Sequence, residues 1–162
     1  MREIGRSVIR QVKKGDYFAF EKLVEHYHQS VYQICYIIIG DERGAEELAK
    51  DIFLHVYEHI GDCQTNDKKF SLWLYQKTVN LARNQLSEGD RTVVTECPAF
   101  NGINKNDIPL LMNVTLRERL ALTLKSSNCL SVKEISDVLD IPNSDTKTRI
   151  WRGREMIREM MR

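Results

Sequence analysis

Apolar residues recur at spacings of three and four between residues 18 and 39: Phe20, Leu23, Val24, Tyr27, Val31, Ile34, Cys35 and Ile38. On a helix this spacing draws one apolar stripe, so a long helix with a buried face is expected. Asp16, after Gly15, offers a carboxylate to the free N–H groups of the first turn and is the expected N-cap. Gly40 ends the pattern. A second stripe over residues 43–60 carries Leu48, Ile52, Phe53, Val56, Tyr57 and Ile60, with Gly61 as its terminator. Residues 61–69 are polar and rich in turn formers, and are read as a loop. A third helix is expected from Ser71 as N-cap, through Leu72, Trp73, Leu74, Tyr75, Val79, Ala82 and Leu86, with Trp73 in the core.

Residues 87–109 break the rhythm. Gly89, Pro98, Gly102 and Pro109 fall among Asn and Asp residues with no helical period, as in a linker. The period returns at Leu110, with one helix expected to hold Leu116, Leu120, Leu122 and Leu124. Ser131 followed by Glu134 forms a capping box ahead of Val132, Ile135, Val138 and Leu139. The run Asp140-Ile141-Pro142-Asn143 stops that helix, and a last one starts at Ser144 and runs to the end. The expected fold is all-α: two small helical domains, residues 1–86 and 110–162, joined by a linker at 87–109.

A chain of 162 residues suits one or two small domains. The N-terminus is polar and lacks the apolar run of a secretory signal. The most apolar stretch, residues 31–39, is too short to span a bilayer and is broken by Gln33. A cytoplasmic protein is expected. Cys35, Cys63, Cys97 and Cys129 are scattered without a CxxC pair, which fits free thiols better than a disulfide framework or a zinc site. His55 and His59 have a metal-ligand spacing, but no HExxH, Walker or GxGxxG motif accompanies them. No metal, no cofactor, no small-molecule substrate and no enzymatic activity are expected.

The net charge of +1 is unevenly spread. Residues 1–86 carry 12 basic and 12 acidic side chains, residues 87–109 carry 2 and 4, and residues 110–162 carry 10 and 7. The positive excess lies at the C-terminal end, where two short helices flank a tight turn over residues 131–158, a helix-turn-helix arrangement. Ile135, Leu139, Ile141, Ile150 and Ile157 can close its small core. The second helix then presents Lys147, Thr148, Arg149, Trp151, Arg152 and Arg154. Lys and Arg neutralise phosphates and pair with guanine edges, Thr can meet a phosphate or a thymine methyl, and an exposed Trp can press on a base or sugar. Asp145 partly opposes a phosphate at the N-terminus of that helix.

This segment resembles region 4 of the extracytoplasmic-function sigma factors of the sigma-70 family. The family pattern LS-x-x-EIA-x-x-L … T-V-x-S-R-x-x-R-A-R is matched by Leu130-Ser131, Glu134-Ile135-Ser136, Leu139 and the run Thr146-Lys147-Thr148-Arg149-Ile150-Trp151-Arg152-Gly153-Arg154. The N-terminal half is similar to region 2 of the same family. Gly15-Asp16, Ala19-Phe20 and Leu23 resemble GD-x-x-AF-x-x-L, and Glu47-Leu48-Ala49-Lys50-Asp51-Ile52-Phe53 resembles DLVQE-x-F. Phe70-Ser71-Leu72-Trp73-Leu74-Tyr75, then Asn80, resembles F-x-x-WLY-x-x-x-x-N. The order and spacing of these motifs, which join two unrelated helical modules, carry the resemblance.

The resemblance implies a sigma factor that binds core RNA polymerase and reads −35 and −10 promoter elements. Glu47, Leu48, Lys50, Asp51 and Phe53 match the segment that meets the β′ clamp helices. Lys77, Asn80 and Arg83, with the 61–69 loop, match the −10 reader: Asn80 would read a base edge, and Lys77 and Arg83 would hold phosphates. Lys147, Thr148 and Trp151 would face bases of the −35 element, with Arg149 and Arg152 supporting phosphate contact or packing. Region 4 would also touch the β flap, the linker would thread toward the RNA exit path, and an anti-sigma factor is an expected partner. Departures bear on core affinity and melting: Lys50 replaces a glutamine, Glu47 an aspartate, Thr146 a valine and Gly153 an alanine. Ser87-Glu88-Gly89-Asp90-Arg91 stands where an arginine run is common. A plain helix-turn-helix regulator, or a sigma-like protein that does not melt promoters, is the alternative.

Overall fold

The computed structural model describes residues 3–64, 69–88, 108–126 and 128–162, and the regular elements among them are helical. Helix α1 (Arg6–Lys13) turns through Gly15, at φ 88°, into α2 (Tyr17–Ile39). Asp16 caps α2 as expected: its Oδ1 accepts from the N–H groups of Phe18 and Ala19 at 3.0 and 3.2 Å. Gly40 ends the helix at φ 80°, a left-handed conformation that costs glycine nothing. Asp41 then caps α3 (Glu42–His59), accepting from the Gly44 N–H at 2.7 Å. The expected stop at Gly61 is softened, since α3 passes into a 3₁₀ turn over Ile60–Asp62 that contains this glycine.

Three expected boundaries move. Helix α4 (Phe70–Glu88) starts before Ser71, so Ser71 is not its N-cap. The Ser71 N–H donates instead to Glu3 Oε1 at 2.8 Å, a cap delivered from the far end of the chain. The single helix expected from Leu110 is two, α5 (Ile108–Met112) and α6 (Leu116–Ser126). Asn113 Nδ2 donates to the Pro109 carbonyl at 2.9 Å, an Asn side chain competing with the backbone ladder. Arg119 Nη1 holds the break closed, donating to the carbonyl of Met112 at 2.9 Å. Helix α7 (Val132–Leu139) carries the full capping box of Ser131 and Glu134, and α8 (Asn143–Met160) starts one residue ahead of Ser144. Most of the expected linker, residues 89–107 with Cys97, lies outside the described residues, as do residues 65–68 of the expected loop.

Helix α2 is the hub: α1, α3, α4 and α6 all pack against it, while α4 also packs on α7 and α6 supports α8. The buried side chains form one core running from Leu23, Tyr27 and Ile34 through Leu74 and Val79 to Leu120 and Ile135. The first four helices and the last four are thus packed together, with Lys69 Nζ bridging to Glu134 Oε2 at 3.0 Å across their junction. Among the described residues no helix is long and apolar enough to cross a membrane.

The core is rich in phenols and thiols that have no room to ionise. Burial pushes the Tyr27, Tyr75 and Cys63 groups up, and takes both the Tyr32 phenol and the Cys35 thiol to about 12. These folded values exceed the unfolded ones, so the folded state holds more protons at alkaline pH. The stability they contribute is complete below the unfolded values and is lost as pH rises through the folded ones. The urea midpoint is expected to hold steady near pH 8 and to fall progressively above about pH 9–10, where unfolded Cys and Tyr ionise. A flat midpoint across that range would contradict this burial.

Candidate nucleic-acid and polymerase interfaces

The helix-turn-helix is built as the capping signals require. Asp140 ends α7 at φ 55°, and Pro142 precedes the first turn of α8. The two helices are locked by a buried hydroxyl pair, Ser136 Oγ and Thr146 Oγ1, 2.7 Å apart. Ser136 already donates to the Val132 carbonyl at 2.7 Å, so Thr146 is the donor in the pair. Ser136 and Thr146 stand where the family pattern has alanine and valine. In this chain the two departures meet in one buried polar contact.

Removing one hydroxyl of such a pair leaves the other buried without its partner, while removing both can be nearly neutral. Ser136→Ala is therefore expected to destabilise by about 1–3 kcal/mol. Ser136→Ala with Thr146→Val should recover most of that loss. A double-mutant cycle on denaturant midpoints checks it, and strict additivity would refute the pairing.

Packing on the α7 side leaves one face of α8 free. Lys147, Thr148, Trp151, Arg152 and Arg154 are exposed there, with Trp151 64% accessible. Thr148 Oγ1 donates to the Ser144 carbonyl at 3.0 Å, which restrains its rotamer. Arg149 is half-buried. Side chains four and then three apart on α4 form a second face: Trp73, Lys77 and Asn80. Trp73, expected in the core, is only half-buried at its edge, with Lys77 Nζ lying 5.8 Å from its ring centre. Asn80 is exposed, and Arg83 is half-buried. Burial, followed by the charges of Arg149 and Arg117, holds the Arg83 guanidinium below its usual range.

On α3 the expected contact set divides. Glu47, Lys50 and Asp51 are exposed, but Leu48 and Phe53 are 7% and 4% accessible and point into the core. They belong to the stripe with Ile52 and Val56, which α2 covers. The outward apolar residues of α3 are Leu54 and Tyr57, and Tyr57 stacks edge-on against Phe20 at 4.9 Å. Leu54 breaks the phase of the stripe, and that was its available signal. His55 and His59 stack at 4.0 Å, and His59 Nδ1 lies 2.9 Å from the His55 carbonyl. Burial, then His59, lowers the His55 pKa. No group of three or more His, Cys, Asp or Glu suited to a metal exists among the described residues.

Residues 23–92 match the family model for sigma-70 region 2. The chain is 32% identical to the ECF RNA polymerase sigma factor SigW of Bacillus subtilis, over 95% of each chain. It is 28% identical to the ECF RNA polymerase sigma-E factor of Escherichia coli K12, over 93% of this chain and 90% of that one. Two solved structures share the fold at TM-scores of 0.75. One is CnrH in complex with the cytosolic domain of CnrY, at 18% identity and covering 96% of each chain. The other is the sigma factor RpoE in complex with the anti-sigma factor NepR from Bartonella quintana, at 13% identity, covering 88% of this chain and 96% of that one.

Proposed function

The chain belongs to the extracytoplasmic-function sigma factors of the sigma-70 family, RNA polymerase sigma factors of transcription initiation, and from that membership we propose how its surfaces divide the work. Residues 1–86 act as the region 2 module, residues 87–109 as the linker and residues 110–162 as the region 4 module. The exposed carboxylates Glu47 and Asp51, with Lys50 between them and Leu54 and Tyr57 beside them, meet the β′ clamp helices. Acidic and apolar groups on one helix suit a partner helix bearing arginines. Leu48 and Phe53 hold that surface in shape from beneath.

Asn80 reads an unstacked base of the −10 element, while Lys77 and Arg83 hold the adjoining phosphates. Lys147, Thr148 and Trp151 enter the −35 major groove, with Arg149 and Arg152 on its phosphates and region 4 resting on the β flap. The protein acts by binding alone, without catalysis, in the cytoplasm where the polymerase works. Two structural neighbours are in complex with partners, the cytosolic domain of CnrY and the anti-sigma factor NepR. An anti-sigma factor is the expected regulator here as well.

The observation that carries this reading is the free basic and aromatic face of α8, displayed on a locked, capped helix-turn-helix. Permanganate footprinting of a cognate promoter, with core enzyme and this chain, tests the −10 assignment. Reactive thymines are expected in the −10 region, and Asn80→Asp should remove them while core binding persists. Undiminished reactivity with Asn80→Asp would take the reading role away from α4.

A further inference from the structure

Cys129 stands apart from the other described thiols. Cys35 and Cys63 are buried, whereas Cys129 is exposed, on the segment that leads from α6 into α7. It lines a polar cavity of about 100 Å³ at the seam of the two helix groups. Glu3, Lys69 and Tyr75 wall this cavity from the first group, and Asn128 and Glu134 join Cys129 from the second. Asn128 is 4% accessible, and neither its Oδ1 nor its Nδ2 meets a partner with hydrogen-bond geometry among the described residues. The Tyr75 phenol beside it can satisfy at most one of the two. A buried amide so placed favours a further donor or acceptor that reaches it. Lys69 adds an accessible ammonium, 61% exposed although it lies 3.0 Å from Glu134 Oε2.

We propose that Cys129 is a modification site that takes a small peptidyl disulfide bearing carboxylates. The Cys129 sulfur, as thiolate, attacks one sulfur of that disulfide. The old S–S bond breaks as the new one forms, and the other half leaves as a thiolate that takes up the proton Cys129 gave up. The Cys129 sulfur is oxidised and the departing sulfur is reduced, so the exchange needs no other oxidant. The surroundings select the class of partner. The cavity has room for a few atoms of the adduct, which meet the Asn128 amide. The rest of the adduct lies along the surface beside Lys69, whose ammonium pairs with a carboxylate. Both helix groups wall the site, so the redox poise of the surrounding thiols is read at their seam.

The test incubates the full chain with oxidised glutathione or with the uncharged hydroxyethyl disulfide, and follows adducts by intact mass and peptide mapping. A glutathione adduct is expected on Cys129, and Cys129→Ser should remove it. The preference is the ratio of the two exchange equilibria at Cys129. Lys69→Met should lower it by between ~2-fold and ~5-fold, the worth of one exposed ion pair. Lys69→Arg should retain it, and Lys22→Met, at an exposed position of α2, should leave it unchanged. Denaturing urea should erase the difference between the native chain and Lys69→Met, because the pairing belongs to the folded seam. No adduct at Cys129, or an equal preference in the native chain and Lys69→Met, overturns the proposal.

Discussion

Lys147→Glu combined with Arg152→Glu is expected to cut −35-dependent transcription by between ~30-fold and ~10⁴-fold, because each lost base or phosphate contact is worth about 1–3 kcal/mol. Both side chains are exposed on α8, and neither takes part in an ion pair among the described residues, so the loss should not come from unfolding. Three readouts separate a recognition defect from a general one. Co-elution with core enzyme should persist, since the proposed clamp surface lies on α3. Transcription should fall on promoters with an intact −35 element and should then match that from a scrambled element. The salt sensitivity of DNA binding should also become shallower, because fewer counterions are released. Retained −35 preference in the double variant would remove α8 from promoter reading.

Gly153→Val is expected to destabilise the C-terminal helices by about 3 kcal/mol, the upper part of the range for overpacking. A Cβ at position 153 would stand 2.6 Å from Leu122 Cδ1, 3.0 Å from Leu122 Cγ and 3.3 Å from Glu118 Cβ. Leu122 and Glu118 are themselves buried, so neither can swing aside into solvent. Even Gly153→Ala, which gains about 1 kcal/mol of helix propensity, should be destabilising on balance by about 1 kcal/mol. Chemical denaturation of the three proteins decides it. A more stable alanine variant would mean that α6 and α8 are not in close contact at this point.

Position 153 also shows what could be read from sequence and what could not. Read along the chain, Gly153 is only a residue that weakens a helix, whereas in space it is the point where α8 approaches α6. The signals that succeeded are local. Asp16, Gly40, Ser131 and Glu134 act on backbone groups within four residues, and each does what its spacing predicts. The failures involve distant partners. Ser71 was expected to cap α4, yet the cap comes from Glu3, and no periodicity links residues so far apart. The break between α5 and α6 depends on Asn113 and Arg119 side chains competing for carbonyls inside an otherwise continuous apolar pattern.

The interfaces follow the same division. The basic face of α8 was legible because burial of Ile150 on one side leaves Lys147, Thr148 and Trp151 on the other. The inward placement of Leu48 and Phe53 was not legible, because a motif marks which residues matter without saying whether they point inward or outward. Tyr57 emerges only once the packing of α3 on α2 is known, whereas Leu54 is marked by its break in the phase of the stripe. Glu134 was legible as half of a capping box. Its Oε1 does accept from the Ser131 N–H, but its Oε2 is taken by Lys69 from the other helix group. The Ser131 N–H and Lys69 hold its carboxyl below the usual range against the opposing effect of burial.

The most direct measurement is reconstitution with bacterial core RNA polymerase. The purified chain is mixed with core, resolved by size exclusion, and each fraction is assayed for run-off transcription on a promoter library. Co-elution with core and promoter-dependent transcripts that disappear with Asn80→Asp is the predicted result. A chain that elutes alone, and leaves core unable to start at any promoter, would contradict the assignment of this protein as an initiating sigma factor.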